Sequence, residues 1–189
     1  MKQARRSLWL GLAAVVGLAY PLLVYLALPH LSARALLVPA LGLIGLRRLG
    51  IRGLVAHGAT VSLLLAGGVL LLLGILAPEL AVRAYPVAMS LAAASVFGLS
   101  LLKGPSLIEQ IARRQTPDLP DVAILYTWRV TLVWAVFLTA NALAAAALAV
   151  WGTLAQWTLW NGLLSYLAAG LLMGGEWIIR QRLRRRGAV

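Results

Sequence analysis

Residues 54–76 read LVAHGATVSLLLAGGVLLLLGIL, a run without a single acidic residue, lysine or arginine. At about 1.5 Å of rise per residue, a helix of this length crosses a hydrocarbon layer roughly 30 Å thick. The rest of the 189-residue chain has the same character, since 62% of it is hydrophobic and only 12% is charged. A soluble domain needs more polar surface than that, so we predict an integral membrane protein.

Five further apolar segments accompany this run. Together they predict an all-α fold, a single membrane domain over residues 1–189 built as a polytopic bundle of six transmembrane helices. The second segment is the shortest, because Arg34 lies within it and Pro39 interrupts it, and a re-entrant segment is the alternative there. The six predicted spans cover residues 8–28, 31–46, 54–76, 84–102, 124–150 and 158–179.

The distribution of positive charge predicts the orientation of the bundle. The formal net charge is +12, and in a six-span topology 15 of the 17 Lys and Arg residues lie on the side of the N-terminus. Only Arg34 and Arg83 lie on the other side. Because positively charged loops remain in the cytoplasm, we predict that both termini are cytoplasmic and that the N-terminal span is a retained signal anchor. The basic groups then face lipid headgroups and acidic proteins, and nucleic acid is not a predicted partner.

Aromatic residues at the ends of the spans support these limits. Indole rings prefer the headgroup level, where one end of the ring stays hydrated. Trp128 and Trp177 are therefore expected at the inner surface, and Trp151 and Trp157 at the outer one.

The longest loop between spans, residues 103–123, predicts a short interfacial helix over about residues 105–116. Gly104 and Pro105 suit its start and Pro117 its end. Apolar and polar residues separate onto two faces, which indicates an amphipathic helix lying on the cytoplasmic leaflet. Asp121 is expected to N-cap the fifth membrane helix. The predicted apolar face consists of Leu107, Ile108, Ile111 and Ala112, and the polar face of Glu109, Gln110, Arg113 and Arg114.

Two pairs of an acid and an arginine stand four residues apart, the spacing that brings side chains together on a helix. Glu176 and Arg180 lie near the inner end of the sixth span. A snorkelling ion pair that holds the helix end is the favoured interpretation, and a proton or ion carrier is the alternative. Glu109 and Arg113 repeat the spacing in the interfacial helix. For this pair there are two interpretations, a solvated ion pair or a docking site for a lipid headgroup or a cytoplasmic partner.

Two asparagines fall inside predicted spans, Asn141 near the middle of the fifth and Asn161 in the outer part of the sixth. A carboxamide in hydrocarbon usually bonds across a helix interface, so packing is favoured over substrate binding. Small residues at helical spacing also indicate close helix contact, either within one chain or between copies in a homo-oligomer. These small residues are Gly170 and Gly174 in the sixth span, and Ala140, Ala144 and Ala147 in the fifth.

Catalytic and metal-binding patterns are missing from the sequence. It contains no cysteine, two histidines and five acidic residues. There is no HExxH, no Walker loop, no Gly-x-Ser-x-Gly and no pair of carboxylates at metal spacing. We therefore predict a protein that is not an enzyme and that holds neither a cofactor nor a metal.

A family resemblance covers about half of the chain, from Ala84 to Trp177. It rests on SLLKGPSLIEQIAR with the PDLP turn that follows, on VTLVWAVFLTAN and on WTLWNGLLSYLAAGLLMGGEW. This stretch resembles a family of small bacterial inner-membrane proteins encoded beside ketosynthases, acyl carriers and acyltransferases of aryl-polyene pigment assembly. VTLVWAVFLTAN is also similar to the bacterial intracellular septation membrane protein. The resemblance implies an inner-membrane location, transfers no activity, and marks as signature positions Tyr85, Gly104, Pro105, Glu109, Arg113, Pro120, Arg129, Trp134, Asn141, Asn161 and Glu176.

The expected function is that of an accessory scaffold in the phospholipid bilayer for lipid or polyene acyl-chain assembly or export. Its basic inner face suits the recruitment of acidic acyl-chain enzymes or an acyl carrier. A small transporter or flippase of a lipid-like product is the alternative, and it requires Asn141, Asn161 and Glu176 to line one cavity. A membrane enzyme has the least support.

Overall fold

The computed structural model describes residues 19–50, 56–102 and 104–185, and every regular element in those ranges is helical. The predicted all-helical class is confirmed. Most of the predicted first span, residues 8–28, lies outside the described residues. The elements are α1 (residues 19–27), α2 (Ala33–Gly50), α3 (Ala56–Leu76), α4 (Pro78–Leu102), α5 (Leu107–Ala112), α6 (Asp121–Trp151), α7 (Leu154–Leu159), a π-helical turn (Trp160–Leu164) and α8 (Ser165–Arg185).

Three stretches among these residues are long and apolar enough to cross a membrane, and they indicate a membrane protein. They are Pro78–Leu102, Asp121–Trp151 and Leu154–Leu183. Helices α2 and α3 contribute the shorter apolar stretches Ala33–Gly42 and Thr60–Leu76. The total of six spans stays a prediction.

The long helices pack antiparallel to their neighbours along the chain. Ser62 of α3 and Ser95 of α4 share a hydrogen bond of 2.6 Å between their hydroxyl oxygens. Arg83, near the start of α4, donates from Nη1 to the carbonyl of Gly152, just after the end of α6, at 3.2 Å. Near the middle of both helices, Asn141 of α6 donates to Ser90 of α4 at 3.0 Å. Residue numbers therefore rise along α4 as they fall along α6.

The interface between α4 and α6 is built largely from alanine, whose small side chain lets two helix backbones approach closely. The predicted stripe of Ala140, Ala144 and Ala147 is not the packed one, since Ala140 is exposed. Residues 141–149 are so rich in alanine that helical spacing alone does not identify the buried face. The alanines that α6 buries are Ala123, Ala142, Ala145 and Ala149.

Two further sequence expectations change in detail. Helix α2 runs through Pro39 to Gly50, so the predicted interruption at Pro39 is wrong. Proline removes one backbone donor, and helices of membrane proteins tolerate that loss.

Gly170 and Gly174 face no neighbouring helix in the described ranges, because a methyl group built on either would meet no heavy atom within 4 Å. A homo-oligomer stays a prediction.

The last membrane helix begins earlier than the predicted span 158–179. Thr153 is the N-cap of α7, and its hydroxyl accepts from the backbone N–H of Gln156 at 3.2 Å. The Gln156 side chain in turn accepts from the Thr153 N–H at 2.9 Å, which completes a capping box. The helical run then continues from Leu154 through the π-helical turn into α8 and ends at Arg185.

Candidate functional site

The two ends of the bundle differ strongly in charge. At one end, which we call the α5 end, α5 and the first turns of α6 lie near the end of α8. This is shown by the Tyr126 hydroxyl, which donates to Oε1 of Glu176 at 3.0 Å. The opposite end, where α2 and α4 begin, holds Arg34 and Arg83. The arginines at the α5 end whose side chains the structure describes are Arg113, Arg114, Arg129, Arg180, Arg182 and Arg185.

Helix α5 is joined to the end of α4 and to α6 by two hydrogen bonds from its backbone. The Leu107 N–H donates to the hydroxyl of Ser100, near the end of α4, at 3.0 Å. The Ile108 N–H donates to the hydroxyl of Thr131 in α6 at 3.3 Å. From Arg83 to Ser100, α4 rises about 26 Å, close to the thickness of a hydrocarbon layer. Roughly 15 Å of α6 extends beyond the level of α5.

Helix α5 is shorter than the predicted residues 105–116, because Ser106 is its N-cap. The Ser106 hydroxyl accepts from the Glu109 N–H at 3.4 Å, and Oε2 of Glu109 accepts from the Ser106 N–H at 3.3 Å. The Ser-x-x-Glu pattern of this capping box is a signal that the sequence carries. Gly104, before the cap, has a φ of 110°, a conformation that residues with a side chain rarely adopt.

Glu109 is buried, with only 6% of its surface exposed, and the expectation that it lies on a solvated face is wrong. Its Oε1 accepts from Nε of Arg113 at 2.8 Å and lies 2.8 Å from Nη2 of the same guanidinium. Ile111, expected on the buried face, is 49% exposed. The capping box turns the carboxylate of Glu109 back over the start of α5, and Arg113 covers it there. Glu109 and Arg113 thus form a structural ion pair.

Arg113 also holds the turn that leads into α6. Its Nη1 donates to the carbonyl of Pro117 at 3.1 Å. Helix α6 begins at Asp121, but its N-cap is Pro120 and no side chain bonds the first turn. The expectation that Asp121 caps this helix is therefore wrong. Its carboxylate lies in the first turn instead, where the helix dipole favours negative charge.

Glu176 is held on two sides at the α5 end. Its Oε1 accepts from the Tyr126 hydroxyl at 3.0 Å and lies 3.4 Å from Nε of Arg180. The predicted spacing of four residues does bring Glu176 and Arg180 together. The sequence does not identify Tyr126 as a partner of Glu176. The contact joins α6 to α8, and residues so far apart in the chain leave no local sequence pattern.

Asn141 connects three elements in the interior. Its Nδ2 donates to the hydroxyl of Ser90 in α4 at 3.0 Å. Its Oδ1 accepts from Nε1 of Trp160, in the π-helical turn, at 3.2 Å. Interhelical bonds of this kind contribute on the order of 1 kcal/mol to helix association. The carboxamide therefore ties α4, α6 and the last membrane helix together.

Asn161 lies inside the π-helical turn and is only 3% exposed. Its Nδ2 donates to the carbonyl of Trp157 at 2.9 Å. π-Helical turns are rare and occur often at functional sites. Asn161 lines the cavity described next.

A cavity of about 390 Å³ lies between α1, α4, α6 and the π-helical turn, within the size range of ligand pockets. Asn141 and Asn161 both line it, together with Ser90. Glu176 lines a separate groove between α6 and α8. The indole of Trp134 borders both spaces. The three polar residues predicted inside spans therefore do not line one cavity.

Trp157, expected at the outer membrane surface, is fully buried, and that expectation is wrong. Its Nε1 donates to the carbonyl of Arg83 at 3.0 Å. Arg83 in turn donates to the carbonyl of Gly152, so one cluster joins α4, α6 and α7. A tryptophan near a span end carries the same sequence signal whether it faces lipid or a neighbouring helix.

Comparison with protein-family models, with characterised proteins and with solved structures finds no match for this chain. The resemblance to the aryl-polyene-associated family stays a prediction. Within residues 19–50, 56–102 and 104–185, no three His, Cys, Asp or Glu side chains come together in a way that could hold a metal ion.

Proposed function

We propose that the chain is a multi-pass protein of the bacterial inner membrane, with six spans and both termini in the cytoplasm. The support is the charge difference between the two ends of the bundle. Arginines concentrate at the α5 end, and positively charged segments remain on the cytoplasmic side during insertion. The α5 end is then the cytoplasmic end, and Arg34 and Arg83 face the periplasm.

We further propose that the protein is a non-catalytic scaffold that brings acidic acyl-chain enzymes or an acyl carrier to the membrane for lipid or polyene assembly. One observation carries this proposal. Arg114, Arg182 and Arg185 are exposed at the α5 end, and none of them forms an ion pair with another described residue. Unpaired positive charge on a fixed surface attracts negatively charged proteins and orients their approach.

The construction of the α5 end supports docking. The capping box and the Glu109–Arg113 pair hold α5 in one conformation, and two backbone bonds join it to α4 and α6. A partner that binds a pre-organised surface loses less conformational entropy than one that must order a loop. Arg114, in the turn that follows α5, is thus carried on a rigid base.

Binding of an acidic acyl carrier protein tests the scaffold. We expect the full chain in nanodiscs to bind a bacterial acyl carrier protein at low ionic strength and to lose affinity as salt rises, since the attraction is electrostatic. Replacing Arg114, Arg182 and Arg185 together with glutamine should weaken binding about tenfold, measured by biolayer interferometry. Arg34→Gln is the matched control at the opposite end. Equal affinity of the triple variant and the wild type would contradict the scaffold.

A small transporter or flippase is the second candidate, and the cavity beside the π-helical turn favours it. The carboxamide of Asn161 and the hydroxyl of Ser90 both line this cavity, and such neutral polar groups suit a neutral polar headgroup. Glu176 is bound by Tyr126 and Arg180 outside that cavity, so this arrangement does not support proton-coupled transport.

Lipid movement in proteoliposomes separates the two candidates. Under the scaffold proposal, fluorescent phospholipids should cross the membrane no faster than in empty vesicles, as judged by dithionite quenching. Fast crossing that Asn161→Leu abolishes, with the variant reconstituted at the same level, would establish the transporter instead.

A further inference from the structure

An apolar groove with one unpaired cation runs between α6 and α8 at the α5 end. Its volume is about 480 Å³, within the range of ligand pockets. Val133 and Trp134 line one wall, and Leu171 and Leu172 line the other. Helix α8 packs loosely on this side. None of its described residues from Tyr166 to Arg185 is buried.

Arg129 stands at the polar end of this groove. It is exposed, and it forms no ion pair with any residue that the structure describes. It lies less than one helical turn from Thr131, whose hydroxyl accepts from the backbone of α5. This inference rests on the proposed topology, in which Arg129 lies near the cytoplasmic end of α6, close to the level of phospholipid phosphates.

The charges of the groove favour a single negative charge in its occupant. Arg129 and Arg180 are both positive, and Glu176 is the acid that lines the groove. Glu176 is already engaged by Arg180 and by the Tyr126 hydroxyl. One positive charge is left without a partner beside an apolar surface, and a guanidinium binds phosphate oxygens through two parallel hydrogen bonds.

We propose that this groove is a binding site for an anionic phospholipid whose phosphate pairs with Arg129 and whose acyl chain lies between α6 and α8. The acyl chain then covers Val133 and Leu171, which are exposed among the described residues. Phosphatidylglycerol has the required chemistry, with one negative charge and an apolar tail. This site is separate from the exposed arginines that carry the scaffold proposal, and from the cavity that Asn141 lines.

Native mass spectrometry of the purified full chain tests the site. We expect phosphatidylglycerol to bind more tightly than phosphatidylethanolamine of the same chain length. Arg129→Gln should weaken phosphatidylglycerol binding about tenfold, because hydrogen bonds to charged groups are the strong ones. Arg34→Gln, at the opposite end of the bundle and outside the groove, is the matched control and should bind as the wild type does.

A second variant tests the acyl chain independently of charge. Gly175 lines the groove, and a methyl group built on it would meet no heavy atom within 4 Å. Gly175→Leu should therefore fold normally, fill the groove and also weaken binding. Inorganic phosphate should not displace the lipid, since it lacks the chain. Unchanged binding in either groove variant, or displacement by inorganic phosphate, would overturn the proposal.

Discussion

Replacing Trp157 with alanine is expected to lower the free energy of unfolding by about 3–5 kcal/mol, the range for deleting a buried tryptophan. The side chain is fully buried, and its indole N–H bonds the carbonyl of Arg83. Its removal leaves a cavity where α4, α6 and α7 meet and leaves a buried carbonyl without its donor. Equilibrium unfolding of the purified protein in detergent measures the loss.

Trp151→Ala is the matched control for this substitution. Trp151 lies at the same end of the bundle and is 83% exposed, so its removal should change the free energy of unfolding by less than about 0.5 kcal/mol. Trp157→Phe retains most of the volume and removes the hydrogen bond, and should cost about 1 kcal/mol. Similar losses for Trp157→Ala and Trp151→Ala would show that Trp157 is not part of the core.

Glu109→Ala is expected to lower the free energy of unfolding by about 2 kcal/mol and to release α5 from the bundle. The substitution removes half of the capping box, worth about 1 kcal/mol. It also leaves Arg113 without its carboxylate, and that contribution is reduced by solvent because the Arg113 side chain is 38% exposed. Faster hydrogen exchange of the α5 backbone amides is the direct measurement.

Two variants define what Glu109 contributes. Glu109→Gln keeps a side chain that completes a capping box and loses the ion pair, so it should retain slow exchange in the first turn of α5. Glu79→Ala removes an exposed carboxylate from the first turn of α4 and should cost about 0.5 kcal/mol. Slow exchange of α5 in Glu109→Ala would contradict the structural role of this residue.

Several features of the site could be read from local spacing. Glu176 and Arg180 meet because residues four apart face each other on any helix. The short helix α5 follows from the Gly-Pro start, although its bounds needed the Ser106 cap. Asn141 bonds across a helix interface, as a carboxamide in an apolar segment is expected to do. Each of these inferences needs only the period of one helix and the polarity of its surroundings.

Other features depend on residues that are far apart in the chain. Trp157 and Arg83 meet across the bundle, and no local pattern distinguishes a tryptophan packed on a helix from one that faces lipid. The groove at Arg129 is lined by residues of α6 and α8 that lie about forty or more positions apart in the sequence. Asn141 and Asn161 line one cavity, and Glu176 lines a different groove. Which of these spaces each residue lines depends on how α6 packs against the last helix.

The sequence by itself indicates that the protein lies in a membrane and that its backbone is helical. Apolar runs of about twenty residues leave no water for the peptide groups, and a helix satisfies those groups within one segment. Tertiary structure alone decided which face of each helix is covered, because in hydrocarbon an apolar side chain is equally compatible with lipid and with protein. For this reason only the tertiary structure shows that Glu109 and Trp157 are buried. The same holds for the open groove beside Arg129.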